Sequence, residues 1–368
     1  MQYKKILIAS DKFKGTFSSK EIGEMIASAI KEYAVEIQTE ITEVSDGGDG
    51  LIDCLRFKNN FSRWKFLSFS ANKARKLQSK YLYNIYTSTA VLESAATLGL
   101  SKLRKNEKNI LKLSSYGLGY DISRLLEVRK PKRIVIGIGG TSTNDLFLGG
   151  ASALGFSFLD NDGNEIDPVP ENFLNITKII KPENFERYKN IQIDIATDVK
   201  NPLCGKFGAS RVYAPQKGAT AEQVDFLDKA LMHVAEIIKK DLGVDVLDLE
   251  GAGAGGGIGG GIAAFLGGKI ISGADFVLEN LGFDDMLKNS SLVITGEGKF
   301  YSQSLNGKIT GNIISRALKS GVKCLVVCGS AEEGLSVPEN VKILPLNSTK
   351  ENTKDRIFET FKNYFLST

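Results

Sequence analysis

Four glycine-rich segments of this chain also carry acidic or amide side chains: VSDGGDG at 44–50, GIGGTSTND at 137–145, GAGAGGGIGGG at 251–261 and ITGEGK at 294–299. Where no Cβ intervenes, backbone amides approach an anion closely, and an adjacent Asp or Glu suits the divalent cation that travels with phosphate. The chemistry this pattern serves is that of a nucleotide-using enzyme. In the second segment Gly139 and Gly140 leave the apolar run RIVIGI and are followed by Thr141, Ser142, Thr143, Asn144 and Asp145, so hydroxyls and amides enter one turn. The competing reading is that Asn144 or Asp145 only caps the next helix. Asp198 lies just beyond the strand-like IQIDIA, with Lys206, Arg211 and Lys217 downstream as cations for an acidic substrate or a polyphosphate. Asp198 can equally be a turn former. Glu297 stands between glycines in TGEGK, close to Lys299, Ser302 and Gln303.

Several other chemistries are disfavoured. No G-x-x-x-x-G-K-[ST] occurs, because Gly307-Lys308 is followed by Ile309. Gly255, Gly257 and Gly260 satisfy G-x-G-x-x-G, yet no acidic residue follows a second strand as a dinucleotide site requires. The single histidine, His233, excludes a multi-histidine metal centre. It falls in AEQVDFLDKALMHVAEIIKK, where Val224, Leu227, Leu231, Val234 and Ile237 recur at helical spacing, so it reads as a helix residue. Carboxylates, lysines and backbone amides are left to carry the reaction. Cys54, Cys204, Cys324 and Cys328 have neither zinc-site spacing nor disulfide-framework density.

The elements that must position these residues alternate. KKILIAS reads as a strand, followed by a helix with a capping box of Ser18 and Glu21 and an apolar face of Ile22, Met25, Ile26, Ala29 and Ile30. EIQTEITEV is a second strand, ending at the VSDGGDG loop. The same texture returns in SLVITGEGK, NGKITGNIISRALKSG, CLVVCGSA and VKILPL, and a last helix carries Ile357, Phe358, Phe361, Tyr364 and Phe365 on one stripe. The expected fold is α/β: a Rossmann-like parallel-sheet domain built from both termini, residues 1–58 plus 287–368, with a second α/β domain inserted at 59–286. The site is expected in the cleft between them.

Composition adds limits. With 368 residues and 42% hydrophobic content the chain has room for two domains, and 47 basic against 43 acidic residues give a net charge of only +4. Nothing global points to nucleic acid. Between Arg56 and Lys80 stand eight basic and no acidic residues, interleaved with Phe57, Phe61, Trp64, Phe66 and Phe69. Such a stretch could bind single strands, but RWKFLSFS and KYLYNIY alternate as a hairpin does, with its cations on the wet face or edge. The uncharged run 251–268 has ten glycines in eighteen residues, which suits a loop entering a buried helix and not a membrane span. A cytoplasmic protein without membrane or nucleic-acid partner is expected.

Taken in order, these motifs resemble the glycerate kinases of the bacterial, two-domain, Mg-ATP-dependent family. IASDKFKG, VSDGGDG, ESAATLGL, SYGLG, GIGGTSTND, TDVKNPLCGKFGAS, APQKGAT, GAGAGGG and ITGEGK with its SQ and GK each match a family segment, over nearly the whole chain. The resemblance implies ATP-dependent phosphorylation of D-glycerate, favouring 2-phosphoglycerate, with Mg2+; a homo-oligomer is compatible with it. On this reading Gly139, Gly140, Thr141, Asn144, Gly253, Gly255, Gly256, Gly257, Ser302 and Gln303 bind nucleotide. Asp198 and Glu297 serve the metal, Asp46 accepts the proton or orients the substrate, and Lys14 stabilises transferred charge or binds the glycerate carboxylate. The chain departs from the family at Tyr301, where Asp is usual, and at Leu146 and Phe147, where two glycines are usual. A lost carboxylate and added bulk would alter a pocket, which leaves another small hydroxy acid as acceptor, or a catalytically weakened nucleotide-binding homologue, as alternatives.

Overall fold

The computed structural model describes residues 3–13, 15–188, 190–305 and 307–366. The chain divides into two compact units, one of Met1–Asp46, Asp53–Leu55 and Ala274–Thr368 and one of Gly47–Ile52 and Arg56–Gly273. Relative to the expected boundaries, residues 47–52 and 56–58 go with the middle unit and residues 274–286 with the terminal one. The glycines explain the first difference. A Cβ on Gly47 would lie 2.5 Å from the Gly273 Cα, and one on Gly139 would lie 2.8 Å from the Gly48 Cα, so the loop lies flat on strand ends of the middle unit.

The terminal unit is a five-stranded parallel sheet in the order Val341–Pro345, Lys323–Ala331, Leu292–Phe300, Lys5–Ile8, Gln38–Ile41. The chain leaves Lys5–Ile8 toward one edge and Leu292–Phe300 toward the other. The carboxyl ends of these two neighbours therefore form a topological switch point, where open α/β sheets take their ligands. The helix Ser19–Tyr33 begins with the capping box formed by Ser18 and Glu21 and buries Ile22, Ile26, Ala29 and Ile30. It packs against the final helix, Thr353–Leu366, whose Ile357, Phe361 and Tyr364 are buried in the same core. The hydroxyls of Tyr3 and Tyr364 meet at 3.0 Å and join the two ends of the chain.

In the middle unit a six-stranded sheet runs Lys269–Ile271, Gln192–Ala196, Arg133–Gly137, Thr89–Glu93, Lys76–Asn84, Ser62–Phe69. The first four strands are parallel and the last two form an antiparallel hairpin at the edge. This hairpin is the basic aromatic stretch. Phe66 stacks on Tyr81 at 4.3 Å, and the Arg129 guanidinium lies 4.0 Å over the Trp64 ring, so its aromatics cover its own sheet. His233 sits on the helix Ala221–Leu242 with its Nε2 2.8 Å from the Ile176 carbonyl. No helix among the described residues is long and apolar enough to cross a membrane.

The bulk of Leu146 and Phe147, expected to alter a pocket, lies in the core of the middle unit. Both are fully buried in the middle core, and both keep left-handed backbone, at φ +49° and +60°. That conformation costs roughly 1–2 kcal/mol for a residue with a Cβ. Burying a Leu or Phe side chain returns about 1.5–3 kcal/mol, so apolar burial outweighs the strain. The turn shape that glycines adopt freely is thus retained with side chains that point into the core.

Candidate active site

At the switch point the ladder between Lys5–Ile8 and Leu292–Phe300 continues past the strand ends. The amide of Ala9 donates to the Ile294 carbonyl and that of Asp11 to the Gly296 carbonyl, each at 2.8 Å, which fixes Asp11 beside the segment carrying Glu297. Burial raises the Asp11 pKa to about 7; the Asp46 and Glu297 carboxylates add to the rise, while Lys12 opposes it. Asp46 and Glu297 therefore both act electrostatically on Asp11. Asp11 is absent from the residues selected by sequence; its signal was an Asp at the carboxyl end of the first strand.

Glu297 is buried, and its pKa is pushed upward by that burial against the pull of Lys308. The Lys308 ammonium lies 3.6 Å from Oε2, while Oε1 has no hydrogen-bond partner. Lys308 is the N-cap residue of the helix Ile309–Lys319. It donates to the Tyr301 hydroxyl at 2.7 Å and lies 4.2 Å from the Tyr301 ring centroid. Tyr301 thus holds the lysine through its hydroxyl and its ring face, supplying partial charge where a carboxylate would supply a full one. Ser302 and Gln303 are exposed residues of the turn Ser302–Leu305 in this terminal unit, and do not belong to the unit that carries the glycine loops. Lys14 lies outside the described residues.

The second set of candidates lies in the middle unit, at the carboxyl ends of its parallel strands. Glu93 ends the strand Thr89–Glu93 and accepts from the amides of Gly50 at 2.8 Å and Ile52 at 3.3 Å. Burial raises its pKa to about 7, with Gly50 opposing and Asp49 adding to the rise. Sequence reasoning passed over Glu93, although a Glu closing TAVLE was visible. Asp198 follows the strand Gln192–Ala196, is half-buried, and accepts from the Ser272 hydroxyl at 2.9 Å.

The 139–145 turn is knitted into its surroundings more tightly than an open cradle. Thr141 Oγ1 donates to the Gly255 carbonyl at 3.1 Å, Ser142 Oγ to the Leu98 carbonyl at 2.8 Å and Asn144 Nδ2 to Ser210 Oγ at 3.0 Å. Asp145 is buried and accepts from the Ser115 amide and hydroxyl, which opposes the rise that burial imposes on its pKa. The side-chain donors expected for a ligand at Thr141 and Asn144 are therefore engaged within the fold. Glycines 253, 256 and 257 are buried and Gly255 half-buried. A Cβ on Gly256 would meet the Thr143 carbonyl at 2.1 Å, and Gly256 itself has φ +76°, so both space and conformation require glycine there. The turns at 139–145 and 253–257 come together; Gly140 is exposed.

Among the described residues no group of three or more His, Cys, Asp or Glu side chains is arranged to hold a metal ion. Mg2+ binds through one or two carboxylates together with substrate phosphates and seldom through a protein cage. The unpartnered, buried Glu297 Oε1 is an oxygen of the right kind.

The chain matches the model of the glycerate kinase family over residues 6–362. A glycerate 2-kinase from Escherichia coli K12 is 35% identical over 90% of this chain and 87% of its own length. A glycerate kinase from Neisseria meningitidis serogroup B is 33% identical over 92% of this chain and 89% of its own. The solved structure of a chain named glycerate kinase 2 from Salmonella typhimurium LT2 superimposes with a TM-score of 0.78 at 30% identity, covering 99% of this chain and 98% of that one.

Proposed function

The chain belongs to the glycerate kinase family, and from that premise we propose that it transfers the γ-phosphoryl group of Mg-ATP to D-glycerate, at the 2-hydroxyl in preference to the 3-hydroxyl. The observation that carries this reading is the carboxylate group Asp11, Asp46 and Glu297 at the switch point of the terminal sheet. Phosphoryl transfer needs an acceptor for the hydroxyl proton, charge neutralisation and positioning. Asp11, with a pKa near neutrality, takes the proton, and Asp46 orients the substrate beside it. Gly139, Gly140, Gly253, Gly255, Gly256 and Gly257 receive the nucleotide phosphates as backbone free of side chains, with Thr141 and Asn144 holding the turn in shape. Asp198 and Glu297 are the carboxylates that would hold Mg2+, which would neutralise charge on the transferring phosphate. Ser302 and Gln303 add polar contacts to the nucleotide, and Lys14 pairs with substrate charge. The proposed compartment is the cytoplasm, where ATP is at hand.

The preference for the 2-hydroxyl draws on the name of the Escherichia coli relative, a glycerate 2-kinase. Phosphorus NMR of the product tests it: a resonance coupled to the C2 proton is expected, and a product phosphorylated at C3 would refute it. Tyr301 on Lys308 favours a second reading, another small hydroxy acid as acceptor. The same spectra taken with a panel of hydroxy acids decide between the two.

A further inference from the structure

One buried cation remains without a role. Lys217 is only 5% exposed. It closes the short turn Pro215–Lys217, after which Gly218, at φ +96°, redirects the chain toward the helix Ala221–Leu242. Pro215 fixes the entry and Gly218 supplies a backbone conformation that other residues avoid, so the run PQKG turns the lysine inward.

Its ammonium stands where the two glycine turns meet. Nζ donates to the Thr143 carbonyl at 2.7 Å and to Thr141 Oγ1 at 3.4 Å. Thr141 Oγ1 in turn donates to the Gly255 carbonyl at 3.1 Å, and the Leu146 amide donates to the Gly256 carbonyl at 3.2 Å. A Cβ on Gly256 would come within 3.0 Å of the lysine Nζ. Burial lowers the Lys217 pKa to about 8, with Asp145 opposing. Its two hydrogen bonds nevertheless go to neutral oxygens, while Asp145 Oδ2 is engaged by Ser115 and Gly149. A buried ammonium is unfavourable for stability, and an apolar side chain of similar size would fill the space. Packing alone therefore does not account for a lysine here.

We propose that Lys217 is a positioning residue for phosphoryl transfer: it braces the 139–145 turn where that turn meets the 253–257 turn and sets the arrangement in which the two turns take the nucleotide phosphates. This rests on the reading that these turns receive the phosphates. Lys217→Met removes the charge and keeps the length. In the nucleotide-free variant, amides of 139–145 and 253–257 are expected to exchange with deuterium at least tenfold faster than in the unaltered protein, with the strand Lys5–Ile8 unchanged. The KM for ATP is expected to rise tenfold or more while that for D-glycerate moves less than threefold. Unchanged exchange, or a KM for ATP within twofold in a folded variant, overturns the proposal, as does an equal rise in both KM values. Should Lys217→Met not fold, Lys217→Gln keeps an N–H for the Thr143 carbonyl; a smaller but selective rise in the KM for ATP is expected, and none at all overturns the brace. Exchange of the unaltered protein with and without Mg-ATP separates the two readings. If nucleotide protects neither turn, the phosphate assignment fails and the positioning role fails with it. If nucleotide protects both turns but Lys217→Met changes nothing, only the role of Lys217 fails.

Discussion

Asp198→Asn is expected to lower kcat by about a hundredfold to a thousandfold while the protein stays folded, the range seen when one preorganised electrostatic group is removed from an active site. The substitution is chosen because Asn keeps the size of Asp and one carbonyl oxygen, so the 2.9 Å bond from the Ser272 hydroxyl survives. What disappears is the negative charge beyond the strand Gln192–Ala196. A carboxylate that helps hold Mg2+ should also raise the Mg2+ concentration needed for half-maximal rate. Steady-state rates over a Mg2+ series, with a thermal melt as control, check this. A folded variant within about threefold of the unaltered rate, on the same scale, would remove Asp198 from the mechanism.

Asp11→Asn is expected to cost about 10²- to 10⁴-fold in turnover, the usual contribution of a positioned general base. The pH dependence carries the sign. Burial and the Asp46 and Glu297 carboxylates raise the Asp11 pKa to about 7, so the proton is on below that pH and the base is blocked. The rate should rise with pH as this proton leaves. A divalent cation beside Glu297 draws the titration downward, which places the limb at or below pH 7. In Asp11→Asn the limb should vanish along with the activity. The same carboxyl also makes folding depend on pH. Its folded pKa lies above the ordinary 3.8, so the folded state binds the extra proton between about 4 and 7, and its contribution to stability falls as pH rises through that window. Asp11→Asn should flatten that fall, visible in denaturant melts at pH 5 and pH 8. A variant with unchanged pH profile and near-normal rate would identify a different proton acceptor.

The features legible in the sequence were those fixed by short-range spacing. Ser18 and Glu21 stand three residues apart and form the capping box they suggest, because both partners lie in one turn of helix. The alternation around Trp64 and Tyr81 becomes an edge hairpin, and the helical spacing around His233 becomes the helix Ala221–Leu242. Glycine loops were readable as loops, but their partners were not. Gly47 needs to be glycine because Gly273 comes within 2.5 Å of where its Cβ would stand, a contact between residues more than two hundred positions apart in the chain. Asp11 gains its raised pKa first from burial and then from Asp46 and Glu297, which the fold brings to it from distant segments. Lys217 looked like one of several loop cations until the fold buried it against Thr143. Leu146 and Phe147 read as bulk added to a site, whereas the backbone turns both side chains into the core. In each case the missing information was tertiary: which backbone lies across from which, and which side chain loses its water.

The most direct measurement is ADP release by the purified protein in Mg-ATP, with and without D-glycerate. Release that depends on D-glycerate, at a rate well above the ATP-only background, is the expected result. No release with D-glycerate, from protein that is folded and binds ATP, would contradict the assignment of a D-glycerate kinase and turn attention to the acceptor side of Tyr301 and Lys308.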